Sequence, residues 1–157
     1  MRILVLSDSH GRSGVVRKIL EAQPTAQQVF FLGDVTRDME EMLQLFPEKE
    51  FFIVSGNCDF ESLYPYTNIA EVGGVRIFYT HGHTCAVKYG TTRLMELALE
   101  RNCKIALFGH THCAYISYEN GVFLVNPGSC AQSREGRNSY AVIDIEPSGI
   151  MPILVTL

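Results

Sequence analysis

A chain of 157 residues with 46% hydrophobic content can bury about 70% of its unfolded surface, so it needs no staples to fold. A formal charge of −4, with basic residues scattered along the chain, excludes the electrostatic footprint of a protein that binds long nucleic acids. Five cysteines without a Cys-x-x-Cys pair, and an N-terminal apolar run too short for a signal peptide or membrane span, argue against a disulfide framework, a zinc knuckle and a membrane anchor, and lead us to expect a reducing, cytoplasmic setting.

Along the chain, apolar and β-branched runs end repeatedly in short polar tips. The run from Arg2 to Ser7 leads into Asp8-Ser9-His10, and Val15, Val16, Ile19 and Leu20 then share one face of a helix. Gln28 to Leu32 leads into Gly33-Asp34. A second helix follows, with Met39, Met42, Leu43 and Phe46 on one face, Asp38 and Glu41 at capping-box spacing, and Pro47 as its stop. Phe51 to Ser55 ends in Gly56-Asn57. This order of strand, helix, strand, helix, strand predicts parallel pairing with right-handed crossovers.

Later segments read as hairpins. Ile69 to Val72 and Val75 to Tyr79 flank Gly73-Gly74, and the second of these runs continues to Thr80 and the tip His81-Gly82-His83. After a helix over Thr92 to Arg101, Lys104 to Phe108 leads into Gly109-His110-Thr111-His112. Ala114 to Tyr118 and Val122 to Val125 flank Asn120-Gly121, with Asn126-Pro127-Gly128-Ser129 beyond. Tyr140 to Ile145 and Ile150 to Leu157 flank Pro147-Ser148-Gly149. Hairpins after parallel units predict a second, mixed sheet packed on the first, and with no repeat or linker the expectation is one domain over residues 1–157.

All five histidines fall in three of these tips, beside Asp8, Asp34 and Asn57 in equivalent places. The carboxyl ends of strands in layered α/β sheets form the ligand crevice, so the tips should converge. Imidazole and oxygen donors without a thiolate cluster suit Mn, Fe, Zn, Co or Ni in an open site. Asp8 with His10, and His110 with His112, have chelating spacing. There are donors enough for two metals sharing a carboxylate, a clamp for in-line displacement at phosphorus by a bridging hydroxide.

Taken in order, Asp8-x-His10, Gly33-Asp34, Gly56-Asn57, His81-Gly-His83 and Gly109-His110-x-His112 resemble the motifs of calcineurin-like metallophosphoesterases. Chain length and Asn126-Pro127-Gly128-Ser129 resemble the small bacterial and archaeal phosphodiesterase subfamily typified by YfcE. The resemblance implies a four-layer αββα sandwich of two mixed sheets. It also implies a two-metal site, with Asp8, His10 and His112 on one ion, Asn57, His81 and His110 on the other, and Asp34 bridging. Manganese is the expected metal, with Fe, Zn, Ni or Co as alternatives, and the expected activity is hydrolysis of small phosphodiesters.

One position departs from the broader family, in which a histidine often follows the asparagine; here Cys58 stands there, a poor replacement for an acid that protonates the leaving group. Esters with good leaving groups, or protonation of the leaving group by water, are therefore expected. Cys58, His83 and Arg134 are candidate substrate contacts. Two alternatives are a phosphomonoesterase acting on nucleotides or phosphoproteins, and a non-catalytic scaffold like the retromer subunit of this fold. Exposed strand edges and 10% aromatic content permit a homo-oligomer.

Overall fold

The computed structural model describes residues Met1–Leu157. Its elements run β1 (Arg2–Leu6), α1 (Ser13–Ala22), β2 (Gln28–Phe31), α2 (Met39–Leu45), β3 (Glu50–Ile53), β4 (Thr67–Val72), β5 (Val75–Thr80), α3 (Thr92–Glu100), β6 (Ile105–Leu107), β7 (Ala114–Glu119), β8 (Val122–Pro127), β9 (Ser139–Glu146) and β10 (Gly149–Thr156). One five-stranded sheet has the order β10-β9-β1-β2-β3 and the other the order β4-β5-β6-β8-β7. Both are mixed: β1, β2 and β3 run parallel in the first, as do β5, β6 and β8 in the second, with antiparallel strands completing each.

Strand periodicity produces the layers. Successive side chains of β1 point to opposite faces. Ile3 and Val5 therefore join Phe30, Ile77, Tyr79, Ile105 and Leu107 between the two sheets. Leu4 and Leu6 meet Val16, Ile19, Leu20, Met39 and Met42 under the first pair of helices. A third core, with Phe78, Ala106 and Leu124 against Leu94, Met95 and Ala98, lies between the second sheet and α3. These three apolar interfaces make the four-layer αββα sandwich. At its centre Phe30 stacks on Phe52 at 4.6 Å between ring centres and meets Tyr79 edge-on at 5.1 Å. Full burial of such a ring contributes about 1.5–3 kcal/mol.

Four expectations need correction. The last hairpin does not join the second sheet: β9 pairs antiparallel with β1, covering the edge of that strand which β2 leaves open. Asp38 is no capping box, because it has helical φ and makes no cap bond; its carboxylate instead accepts from Ser9 and Gly11. A short 3-10 turn over Thr36–Asp38 leads into α2, so that helix starts from an existing turn. Leu43 is exposed, since α2 is only seven residues long and presents Met39 and Met42 to the core. Asn126 and Pro127 lie inside β8, and the tip begins at Gly128.

Candidate metal centre

The parallel strands of both sheets deliver their carboxyl ends to one place. The tips are tied across the sandwich: the Asp8 N–H donates to the Gly33 carbonyl at 3.0 Å, the His110 N–H to Asp8 Oδ2 at 3.1 Å, and the Gly109 N–H to the His81 carbonyl at 2.9 Å. These bonds hold an unfavourable backbone. Asp8, His10, Asp34, His110 and His112 all have φ between 46° and 69°, left-handed values that cost a non-glycine residue on the order of 1 kcal/mol or more. Strain concentrated in this way fixes side-chain direction in advance of any ligand.

Glycine supplies the closeness. Gly33, at φ +92°, lies so near Gly56 that any Cβ would overlap that residue's main chain, and a Cβ on Gly56 would overlap the Asp34 carboxylate. The Gly33-Asp34 and Gly56-Asn57 tips can therefore touch.

Two donor sets result. Ligand atoms of Asp8, His10, Asp34 and His112 all lie within 4.8 Å of one another. His112 Nε2 is 3.1 Å from His10 Nε2 and 3.2 Å from Asp8 Oδ1. In the second set, His81 Nε2 is 3.2 Å from Asn57 Oδ1 and 3.2 Å from His110 Nδ1. Asp34 Oδ2 stands between the sets, 3.8 Å from His10 Nε2 and 3.5 Å from His81 Nε2.

Protons are placed to leave lone pairs facing inward. His81 donates from Nδ1 to the Leu32 carbonyl at 2.7 Å, and His112 from Nδ1 to the Gln132 carbonyl at 2.7 Å, so each neutral ring presents Nε2 as an acceptor. Asp8 Oδ1 is buried without a hydrogen bond, although Oδ2 accepts from Ser7 at 2.6 Å. An orphaned carboxylate oxygen among converging imidazole lone pairs is costly unless a cation is present. The donor set fits divalent metal.

Charge tunes these groups. Burial pushes the Asp8 carboxyl up, but His112 and His81 in their protonated forms, together with the Ser7 hydroxyl, hold it below the usual carboxylate range. His112 is raised mainly because its protonated ring, unlike the neutral one, can donate to Asp8. Burial, His81 and Lys88 depress His110 to about 4, which keeps that ring neutral and able to ligate in mild acid. Cys58 is pushed up to about 11 by burial and by Asp34, so it is a neutral thiol at physiological pH.

All seven residues expected at the metal centre, Asp8, His10, Asp34, Asn57, His81, His110 and His112, thus come together. Of the candidate substrate contacts, His83 lies beside the centre, its ring 5.4 Å from His81 and 6.1 Å from His110, with Nδ1 buried and unpartnered. Cys58 is exposed at the rim, and its N–H donates to Asp34 Oδ1 at 2.9 Å. Arg134 has its N–H on the His112 carbonyl at 3.2 Å, and its exposed guanidinium is near enough to lower the His112 pKa.

Several supports escaped sequence reasoning. Asp59 accepts from the N–H groups of Asp34, Thr36 and Gly56 at 2.7–3.0 Å, joining two tips. Its only sequence signal is its place at the end of Gly56-Asn57-Cys58-Asp59. Asp38 accepts from Ser9 Oγ at 2.6 Å and from the Gly11 N–H at 2.9 Å, bracing the His10 turn. Ser129 Oγ donates to the Asp8 carbonyl at 2.7 Å, and Asn126 donates to the Gly109 carbonyl at 3.0 Å, so the Asn126 to Ser129 segment ties the Asp8 tip and the tip that bears His110.

The model of the calcineurin-like phosphoesterase superfamily domain matches residues 1–148. The chain belongs to that superfamily. Among its relatives, vacuolar protein sorting-associated protein 29 of Schizosaccharomyces pombe is 33% identical over 103 residues, which are 65% of this chain and 54% of that protein. Phosphodiesterase MJ0936 of Methanocaldococcus jannaschii is 24% identical over 170 aligned positions, spanning 93% of this chain and 94% of that one. A crystal structure from Streptococcus pneumoniae, described as a predicted phosphoesterase, superposes with a TM-score of 0.86 at 30% identity, covering 99% of this chain and 88% of the other. No helix of the chain is long and apolar enough to cross a membrane.

Proposed function

We propose that the chain is a phosphodiesterase that works with two divalent cations, manganese preferred, and that residues 1–157 act as one catalytic domain. The observation that carries the reading is the place of Asp34 Oδ2, within 4 Å of a histidine of each donor set. Asp8, His10 and His112 would hold one cation, and Asn57, His81 and His110 would hold the other, with Asp34 shared. When bound, such ions polarise phosphoryl oxygens and acidify water for in-line attack.

The chain's own residues supply the remainder. Asp38 and Asp59 keep the His10 turn and the Asp34 tip rigid, so the donors need no reorganisation as charge develops. His83, beside His81 and His110, and Arg134, bonded through its main chain to His112, are the candidate N–H donors to the phosphate. Cys58, protonated up to about pH 11, is too weak an acid to donate its proton efficiently to a departing alkoxide. Esters whose leaving groups are good are the preferred substrates.

The test is hydrolysis of bis(p-nitrophenyl) phosphate by metal-depleted protein after titration with manganese. Turnover is expected to require added metal and to vanish in His81→Ala and Asp34→Ala. Undiminished turnover in Asp34→Ala would sink the shared-ligand assignment.

A second reading, a protein-binding scaffold on this fold, draws on the 33% identity to vacuolar protein sorting-associated protein 29. It predicts no turnover with any of Mn, Fe, Zn, Co or Ni, and a fold that keeps its stability when metal is removed.

A further inference from the structure

Ser7 is the first residue beyond β1 and is wholly buried, yet it supplies no donor to the metal centre. Alternation along the strand puts Val5 between the two sheets, and Ser7 continues on that side. There it meets the tip that follows β6. A Cβ on Gly109 would overlap Ser7 Oγ and crowd Asp8 Oδ2, so the glycine leaves a space that the hydroxyl fills.

An ionised carboxylate can offer a cation one oxygen or two. In Asp8 the neighbours close that choice. Oδ2 accepts from the Ser7 hydroxyl at 2.6 Å and from the His110 N–H at 3.1 Å, while Oδ1 is buried without a hydrogen bond and lies 3.2 Å from His112 Nε2. Asp34 follows the same pattern, with Oδ1 on the Cys58 N–H at 2.9 Å and Oδ2 near His10 and His81. The difference lies in the donor. The bond on Asp34 comes from main chain, whereas the shorter of the two bonds on Asp8 comes from a side chain.

We infer that Ser7 is a positioning residue for the metal centre: its hydroxyl pins Asp8 Oδ2 and thereby commits Oδ1 to the cation that Asp8 would share with His10 and His112. The inference rests on the metal-centre reading above. Without the hydroxyl, the His110 N–H alone restrains a carboxylate that can then turn about its Cβ–Cγ bond, and fixing it falls to the cation, at a cost in affinity. Only one ion should feel the loss, because His81 in the other set takes its orientation from the Leu32 carbonyl.

The experiment is manganese binding to metal-depleted protein, followed by competition with a chelator and resolved into two steps, in the wild type, Ser7→Ala and Ser139→Ala. Ser139 is the matched control: its hydroxyl is also buried, donates to the Pro127 carbonyl at 2.7 Å and fills the space that Gly128 leaves, but it bonds no residue of the metal centre. Each variant loses one hydroxyl and gains no bulk, and urea unfolding verifies that both are folded. In Ser7→Ala one step is expected to weaken by about 10–100-fold while the other holds, as for loss of a partner that orients a ligand. Ser139→Ala leaves both steps as in the wild type. Added to His10→Ala, where the same ion is already lost, Ser7→Ala weakens nothing further. Unchanged steps in Ser7→Ala, an equal loss in both of its steps, or the same loss in Ser139→Ala overturns the role of Ser7 while leaving the metal centre intact. A wild-type protein that binds none of Mn, Fe, Zn, Co and Ni overturns the metal centre and this inference with it.

Discussion

Asp59 accepts a hydrogen bond from the main-chain N–H of Asp34 at 3.0 Å, so one carboxylate secures the backbone that carries another into the metal centre. Asp59 Oδ2 also takes the Gly56 N–H at 2.8 Å, and Oδ1 takes the Thr36 N–H at 2.7 Å. Asparagine could satisfy one of these faces and would turn N–H groups toward donors on the other. Asp59→Asn is therefore expected to lower unfolding stability by about 1–3 kcal/mol, measured by urea denaturation, and to weaken metal retention as well.

Metal counting separates the two donor sets. His10→Ala should leave about one equivalent of tightly held manganese, because the His81 side keeps all its donors, whereas Asp34→Ala should lose both. Elemental analysis after gel filtration measures this. Two retained equivalents in Asp34→Ala would contradict the sharing.

Acid should weaken metal binding through His112. Its pKa is raised by Asp8, so in metal-free protein the protonated pair adds stability below the ordinary histidine value of 6.5, and that stability is lost as pH rises through the higher value. A bound metal must displace that proton. Manganese affinity, measured by competition with a chelator, should therefore fall as pH drops below the raised value, by up to about tenfold per pH unit for one proton.

The glycines allow a paired test. Gly33→Ala combines positive φ with a Cβ overlapping the Gly56 main chain, and should cost about 3 kcal/mol. Gly14 lies in α1 with nothing within 4 Å of a Cβ, so Gly14→Ala should stabilise by roughly 0.5–1 kcal/mol. Thermal denaturation of both variants checks the contrast.

What sequence by itself determined was the set of tips. Strand alternation in Ile3 to Leu6, the apolar runs and the restriction of every histidine to a polar tip are local properties, and they marked the two sheets and the tips, while resemblance to the family's ordered motifs picked out the seven residues that meet. The destination of the β9–β10 hairpin was not local: it depends on which strand of the sandwich has an unpaired edge, and β1 offers one. Asp38 shows the same limit. Its spacing to Glu41 suggests a helix cap, but the Ser9 hydroxyl and Gly11 N–H, distant in sequence, compete for its oxygens and win in the folded chain. The left-handed backbone at Asp8, His10, Asp34, His110 and His112 falls on residue types that tolerate it, but it is hydrogen bonds between tips that hold it at these positions. Residue identity chose the donors, and only tertiary packing could aim them, because strain of this size persists only where contacts from several strands oppose its release.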